Sequence, residues 1–223
     1  MKLCGLVAAY NEEPTIASVL EQARPYLDDI VVVDDGSDDE TAAHAERAGA
    51  RVIRHPINQG KGVAVRTGLA QILKEDFTHV LFIDADLQHN PSDIPSLIEK
   101  AENGFGDFVV AERVFDKDSM PRSRYYANTI GSRVMSKLTA TSIHDSQSGF
   151  RLIKSELLRP VNLTARRYEI EAEILVKLVR RGARVERIPV ASTWSGTNSK
   201  MRPIRDVFRI CMLTMHYRYF CRA

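Results

Sequence analysis

Residues 3–111 alternate strand-length apolar runs with segments of helical spacing, and that alternation constrains the fold more than any other feature of the chain. Leu3 to Ala9, Ile30 to Val33, Arg51 to Arg54, Val80 to Ile83 and Phe108 to Ala111 read as strands. Pro14 opens a helix that carries Ile16, Val19, Leu20 and Ala23 and stops near Pro25. A second helix runs from about Asp39 to Ala48 and closes at Gly49. A third follows the loop Asn58–Gly62 and ends at Leu73, and a fourth runs from Pro91 to about Glu102. Such alternation predicts an α/β fold, a mostly parallel central sheet with helices on both faces. The Val80 run is apolar on both of its sides, as a strand covered on both faces must be.

In sheets of this kind ligands bind outside the carboxyl ends of the strands, where the strand order switches direction. Three polar clusters fall at such ends: Tyr10–Glu13, Asp34–Ser37 and Asp84–Asp86. Asp84 and Asp86 stand one residue apart and repel each other unless a cation lies between them. The matching cation is hard and divalent, and Mg²⁺ keeps part of its coordination for substrate phosphates. The competing account is that these acids cap helices, since Asn90-Pro91-Ser92 begins one next door. Capping explains one acidic loop but explains three poorly. Gly60-Lys61-Gly62 lacks the third glycine of a dinucleotide site, and no G-x-x-x-x-G-K-[ST] occurs.

The second half is less regular. Phe115 to Ser123 reads as a mobile polar loop, Arg124 to Leu138 as a helix, and Asp145 to Arg151 as a polar turn before a further apolar piece. Glu169 to Arg180 reads as a helix with Ile170, Ile174, Leu175 and Leu178 inward, and Val185 to Val190 as a strand. Ser195 to Met201 is a Gly/Ser/Asn-rich loop, and Ile204 to Phe220 reads as a final amphipathic helix. No repeat or linker interrupts the chain, so one domain spanning 1–223 is expected. Charge divides it: residues 1–100 carry 9 Lys and Arg against 17 Asp and Glu, and residues 101–223 carry 22 against 12. An acidic half that holds a metal and a basic half that receives phosphate would look like this. Three cysteines without ligand spacing, the lack of a signal-peptide pattern and the lack of a run of about 20 apolar residues point to a cytoplasmic chain. Nucleic acid is not expected as a partner.

The stretches AAYNEE (8–13), VVVDDGSDDET (31–41), NQGKGVAVRTGL (58–69), FIDADLQHNP (82–91), AERV (111–114), DSQSGFRLIK (145–154), YEIEAEI (168–174) and SGTNSKM (195–201) occur in this order. Together they resemble glycosyltransferase family 2, most closely its dolichol-phosphate mannose synthase and polyprenyl-phosphate glycosyltransferase branch. The resemblance implies a GT-A fold, a Rossmann-like architecture for nucleotide-diphosphate-sugar donors such as GDP-mannose or a UDP-sugar. It implies a donor and metal half at 1–111 and an acceptor half at 112–223. Tyr10, Glu12 and Asp34 would line the base and ribose pocket, with Asp35, Lys61 and Asp84 completing the donor set and Lys200 in a loop closing over it. Asp84, Asp86 and Gln88 would hold Mg²⁺ or Mn²⁺, and Arg113 and Arg124 would receive a lipid-linked phosphate. Asp86, Arg113, Arg124 and Asp145 would form the catalytic set. The family often has Ser where this chain has Asn128, and the appended membrane helices of many relatives are not seen.

The chemistry expected is inverting sugar transfer to a polyprenyl phosphate. A phosphate monoester is largely ionised at neutral pH and needs no general base, only arginines to position it. A soluble or glycan hydroxyl acceptor would need one, with Asp145, Glu169 and Glu171 as candidates. A sugar nucleotidyltransferase should show a glycine-rich basic loop after its first strand, where this chain has YNEE. The final helix, with five arginines and one acid at 202–223, is expected to touch the membrane surface peripherally.

Overall fold

The structure, a computed structural model, describes residues 1–104, 106–113, 122–139, 143, 145, 148–191, 209 and 212, with the side chains of 126 and 128–137 along the helix 122–139. The loop 115–121, Trp194, Lys200 with its loop, and nearly all of the expected final helix lie outside the described residues. The first half follows the expected alternation: β1 (Leu3–Ala9), α1 (Ile16–Ala23), β2 (Asp29–Asp34), α2 (Thr41–Arg47), β3 (Arg51–Arg54), α3 (Lys61–Ile72), β4 (His79–Asp84), α4 (Ile94–Glu102) and β5 (Phe108–Arg113). The second half adds α5 (Arg122–Thr139), β6 (Arg151–Lys154), α6 (Ser155–Leu158), α7 (Ile170–Arg180) and β7 (Val185–Val190).

The described strands form one sheet in the order β3-β2-β1-β4-β6-β5-β7. All neighbours are parallel except β6, which runs antiparallel to β4 and β5. The piece before Lys154 carries only two apolar residues between Arg151 and Lys154, too little periodicity to announce a strand. Side chains alternate between two apolar layers, as period-two geometry requires. Leu6, Val31, Val33, Val80 and Phe82 face α3 and α7 in one core. Val7, Ile30, Val32, Leu81 and Ile83 face α1 and α4 in the other. Strands β1 and β4 are central and adjacent, and from β1 the chain proceeds to β2 and β3 on one side and to β4 on the other. That reversal opens a crevice above their carboxyl ends, where Tyr10–Glu13, Asp34–Ser37 and Asp84–Asp86 emerge.

Candidate active site

The first two loops are stitched together before they meet any ligand. Asn11 adopts φ 52°, and its N–H donates to Ser37 Oγ at 2.9 Å while its Oδ1 accepts from Asp38 N–H at 2.9 Å. Asp34 is fully buried; its carboxylate accepts from Ser37 N–H and Oγ–H and pairs with Arg54 Nε at 3.2 Å. It therefore shapes the loop and does not line the cavity, against the expectation for this residue. The next residue does line it. Asp35 accepts from His55 Nδ1 at 2.7 Å, Gln59 N–H at 3.0 Å and Gly60 N–H at 2.7 Å, which draws the 58–60 loop across the crevice. The resulting cavity of about 460 Å³ is walled by Tyr10, Glu12, Asp35, Lys61, Asp84, Asp86 and Gln88, together with Arg167 and Tyr168. That volume lies in the range of small-ligand sites.

Asp84 closes β4, and its Oδ1 lies 2.6 Å from Lys61 Nζ. Burial would raise the Asp84 carboxyl, but Lys61 and the other nearby cations outweigh it and bring the group down to about 2. Lys61 also reaches Glu171 Oε1 at 2.6 Å. Burial pushes its ammonium down, and the two carboxylates more than reverse this, holding it well above the usual lysine range. Asp86 forms no ion pair among the described residues, and Lys61 and Arg113 act on it only from further off. Burial first, and then the Asp84 charge, push its carboxyl up to about 6. Gln88 fixes its orientation, donating from N–H at 3.1 Å and Nε2 at 2.7 Å.

No group of three or more His, Cys, Asp or Glu side chains gathers as a metal site among the described residues. The donor set is two carboxylates and the Gln88 amide, open to the cavity. It fits a hard divalent ion that completes its shell with phosphate oxygens, and the part of the Asp86 rise that follows burial, the repulsion from Asp84, is what such an ion would relieve. His89 is no part of this set. It is 3 % exposed and tilted against Phe150 at 5.2 Å, neither ring nitrogen has a hydrogen-bond partner among the described residues, and burial keeps it neutral by lowering its pKa to about 4.

Arg113 ends β5 beside this cluster. Its Nε and Nη2 clamp Asp145 at 2.6 and 2.9 Å, and its Nη1 is turned to Gln88 Oε1 at 3.5 Å. Asp145 is 1 % exposed; burial raises its pKa, and Arg113 overcomes that and holds it below the usual carboxylate range. Asp145 thus orients Arg113 and is a poor proton acceptor. Arg124 lies in α5, but its side chain is outside the described residues. Asn128, one turn further on, is buried with Oδ1 unpaired among the described residues.

Two residues that line the cavity were not foreseen from the chain, Arg167 and Tyr168, and Glu171, expected only as a candidate base, is instead the partner of Lys61. All come from residues assigned to the acceptor half, so the cavity draws on both. Their placement depends on Gly60 and Gly62. A Cβ on Gly60 would stand 2.4 Å from the Arg166 carbonyl oxygen, and one on Gly62 2.5 Å from that of Ala165. Gly60 also holds φ +102°, which side-chain-bearing residues rarely adopt. Backbone packs on backbone there, and the contact seats Arg167 and Tyr168 over the cavity. Buried Glu173 secures the other side, accepting from Thr164 and Ala165 N–H and from Lys177.

Residues 6–161 match the family model described as glycosyl transferase family 2. The dolichyl-phosphate hexose transferase of Haloferax volcanii is 30 % identical over 221 residues, covering 94 % of this chain and 94 % of its own. The UDP-N-acetylglucosamine–dolichyl-phosphate N-acetylglucosaminyltransferase of Methanococcus voltae is 28 % identical over 239 residues, covering 94 % and 95 %. Among solved structures, glucosyl-3-phosphoglycerate synthase of Mycobacterium tuberculosis, in complex with Mn²⁺, UDP and glucosyl-3-phosphoglycerate, aligns with a TM-score of 0.77 at 22 % identity, over 100 % of this chain and 81 % of that one. The fold is the expected GT-A fold.

Proposed function

The chain belongs to glycosyl transferase family 2 and is a glycosyltransferase, and from that premise we infer that it transfers a sugar, with inversion, from a nucleotide diphosphate to a polyprenyl phosphate. The observation that carries the acceptor class is the Arg113–Asp145 pair. It presents a preset guanidinium next to Asp86 and Gln88, where an anionic nucleophile is needed. Of the carboxylates named as bases for a hydroxyl acceptor, Asp145 is engaged by Arg113 and Glu171 by Lys61, while Glu169 accepts from the Arg166 and Arg167 N–H groups at 3.3 Å through Oε1 alone. The names of the two relatives, both dolichyl-phosphate transferases, support the same reading.

In this reading the nucleoside lies along Tyr10, Glu12 and Asp35, and the diphosphate lies toward Asp84 and Asp86. Asp84, Asp86 and Gln88 would hold Mg²⁺ or Mn²⁺, which neutralises charge growing on the leaving diphosphate. Arg113 holds the acceptor phosphate in line with the anomeric carbon, and Asp145 keeps Arg113 in place. A phosphate oxygen forms the new C–O bond as the bond to the diphosphate breaks and its electron pair leaves with the nucleotide. No proton has to be taken up. Arg113→Ala is expected to raise the acceptor KM about 100-fold with donor affinity within about threefold. Assays with polyprenyl phosphate and with the unphosphorylated polyprenol check this. Transfer to the polyprenol, or lost donor affinity with unchanged acceptor KM, would contradict the assignment.

No helix among the described residues is long and apolar enough to cross a membrane. A lipid-anchored acceptor then calls for peripheral contact. Tyr126 and Ile130, 61 % and 53 % exposed, share an outer stripe of α5 with exposed Arg133 and Lys137. An apolar stripe flanked by basic groups suits an anionic bilayer surface. Tyr126→Asp with Ile130→Asp is expected to reduce co-sedimentation with anionic vesicles about tenfold. Unchanged sedimentation would remove α5 from the membrane contact.

A further inference from the structure

Lys61 occupies ground that a bound cation would contest. It is the first residue of α3, set between Gly60 and Gly62, and its Nζ lies 2.6 Å from Asp84 Oδ1 and 2.6 Å from Glu171 Oε1. The three side chains are largely shielded, 22 % exposed for Lys61 and Asp84 and 10 % for Glu171. Asp84 lies close over Gly149, its Oδ2 2.1 Å from where a Cβ would be, in space that only a glycine leaves open. The carboxylates of Asp84, Asp86 and Glu171 all act on the Lys61 ammonium, and Arg113 and Arg151 add positive charge from further off.

We propose that Glu171 is a positioning residue for cation loading: it retains the Lys61 ammonium when a divalent ion takes Asp84, so that the Lys61–Glu171 pair sets the cation affinity of the site. The proposal rests on Asp84 and Asp86 being metal ligands. An ion arriving at Asp84 meets an ammonium already bonded to the same carboxylate, and like charges so close repel strongly in a partly buried site. Glu171 gives that ammonium a second counter-charge, so it leaves Asp84 without becoming a buried unpaired cation. Without Glu171, Asp84 is the only carboxylate in hydrogen-bond reach of Lys61 among the described residues. The ion must then displace the ammonium outright. The order of affinities follows from this competition. Loss of the Glu171 charge weakens cation binding, loss of the Lys61 charge strengthens it, and loss of both cancels.

The test is Mn²⁺ titrated into the whole chain without nucleotide, followed by the paramagnetic resonance signal of the free ion. Glu171→Gln is expected to raise the Mn²⁺ Kd at least about tenfold, and Lys61→Gln to lower it about threefold or more. The double variant is expected within about threefold of the native chain. A purely structural role for Glu171 predicts no such rescue. Glu171→Asp keeps the charge on a shorter arm and should fall between the native chain and Glu171→Gln, which gives a reading independent of whether the lysine variants fold. An unchanged Kd in Glu171→Gln, a double variant as weak as that single one, or a Glu171→Asp equal to it overturns the proposal and leaves the metal reading standing. A native chain that binds no Mn²⁺ overturns the metal reading itself, and the proposal with it.

Discussion

Asp86→Ala is expected to lower sugar transfer about 10³-fold or more while the fold remains intact, because charge stabilisation at a leaving diphosphate contributes several kcal/mol and each 1.4 kcal/mol is a factor of ten. Asp86, unlike Asp84, forms no ion pair among the described residues, and its pKa is raised to about 6 by burial and by the Asp84 charge. A carboxyl raised on folding favours the folded state when protonated. That contribution is present at low pH and is lost as pH rises through about 6. At neutral pH the ionised group therefore costs the unliganded protein about 1–3 kcal/mol. Asp86→Asn is accordingly expected to raise the melting temperature of the unliganded chain while abolishing metal-dependent transfer. The same group makes cation binding proton-linked, so affinity for the ion should fall about tenfold per pH unit below about 6. Thermal melts with and without Mn²⁺, and transfer rates in a chelator, check these outcomes. A variant that keeps full activity, or a native enzyme indifferent to chelation, would refute the role.

Gly149→Ala is expected to cost about 100-fold in transfer or more, although Gly149 touches no substrate in this account. A Cβ there would lie 2.1 Å from Asp84 Oδ2 and 2.4 Å from its Cγ, so the carboxylate has to move. It is not free to do so, being held by Lys61 at 2.6 Å on one side and by the end of β4 on the other. Displacing a positioned group by about 1 Å costs on the order of 100-fold. The loss should appear as weaker Mn²⁺ binding, with acceptor KM little changed. Circular dichroism should show the sheet retained. Native Mn²⁺ affinity in Gly149→Ala would show that Asp84 is not the group the glycine serves.

Much of this site was legible in the chain. The apolar runs end where the acidic loops begin, so Asp35, Asp84 and Asp86 could be placed at one rim from alternation, and Gln88 only from the resemblance to the family. Other parts were not. Adjacent residues at a strand end point to opposite sides, and nothing in the run VVVDD tells which aspartate faces the crevice; Asp35 does, and Asp34 ties the loop to Arg54. The Lys61–Glu171 pair joins residues far apart in sequence through two glycines whose role is visible only as missing space. Strand β6 was hidden because Arg151 reads as a surface residue. In the fold it is 1 % exposed, donating to Ser148 O and Glu171 O at 2.6 Å and lying over the Phe108 ring. Its antiparallel insertion brings Gly149 beneath Asp84.

The most direct test is to incubate the chain with a panel of GDP- and UDP-sugars, Mn²⁺ and polyprenyl phosphate, and to determine the product by mass and by the anomeric coupling in its NMR spectrum. The expected product is a polyprenyl phosphosugar whose anomeric configuration is inverted relative to the donor, formed with one nucleotide class and absent in a chelator. A product with retained configuration, or a sugar delivered to a hydroxyl compound while the polyprenyl phosphate stays unmodified, would contradict it.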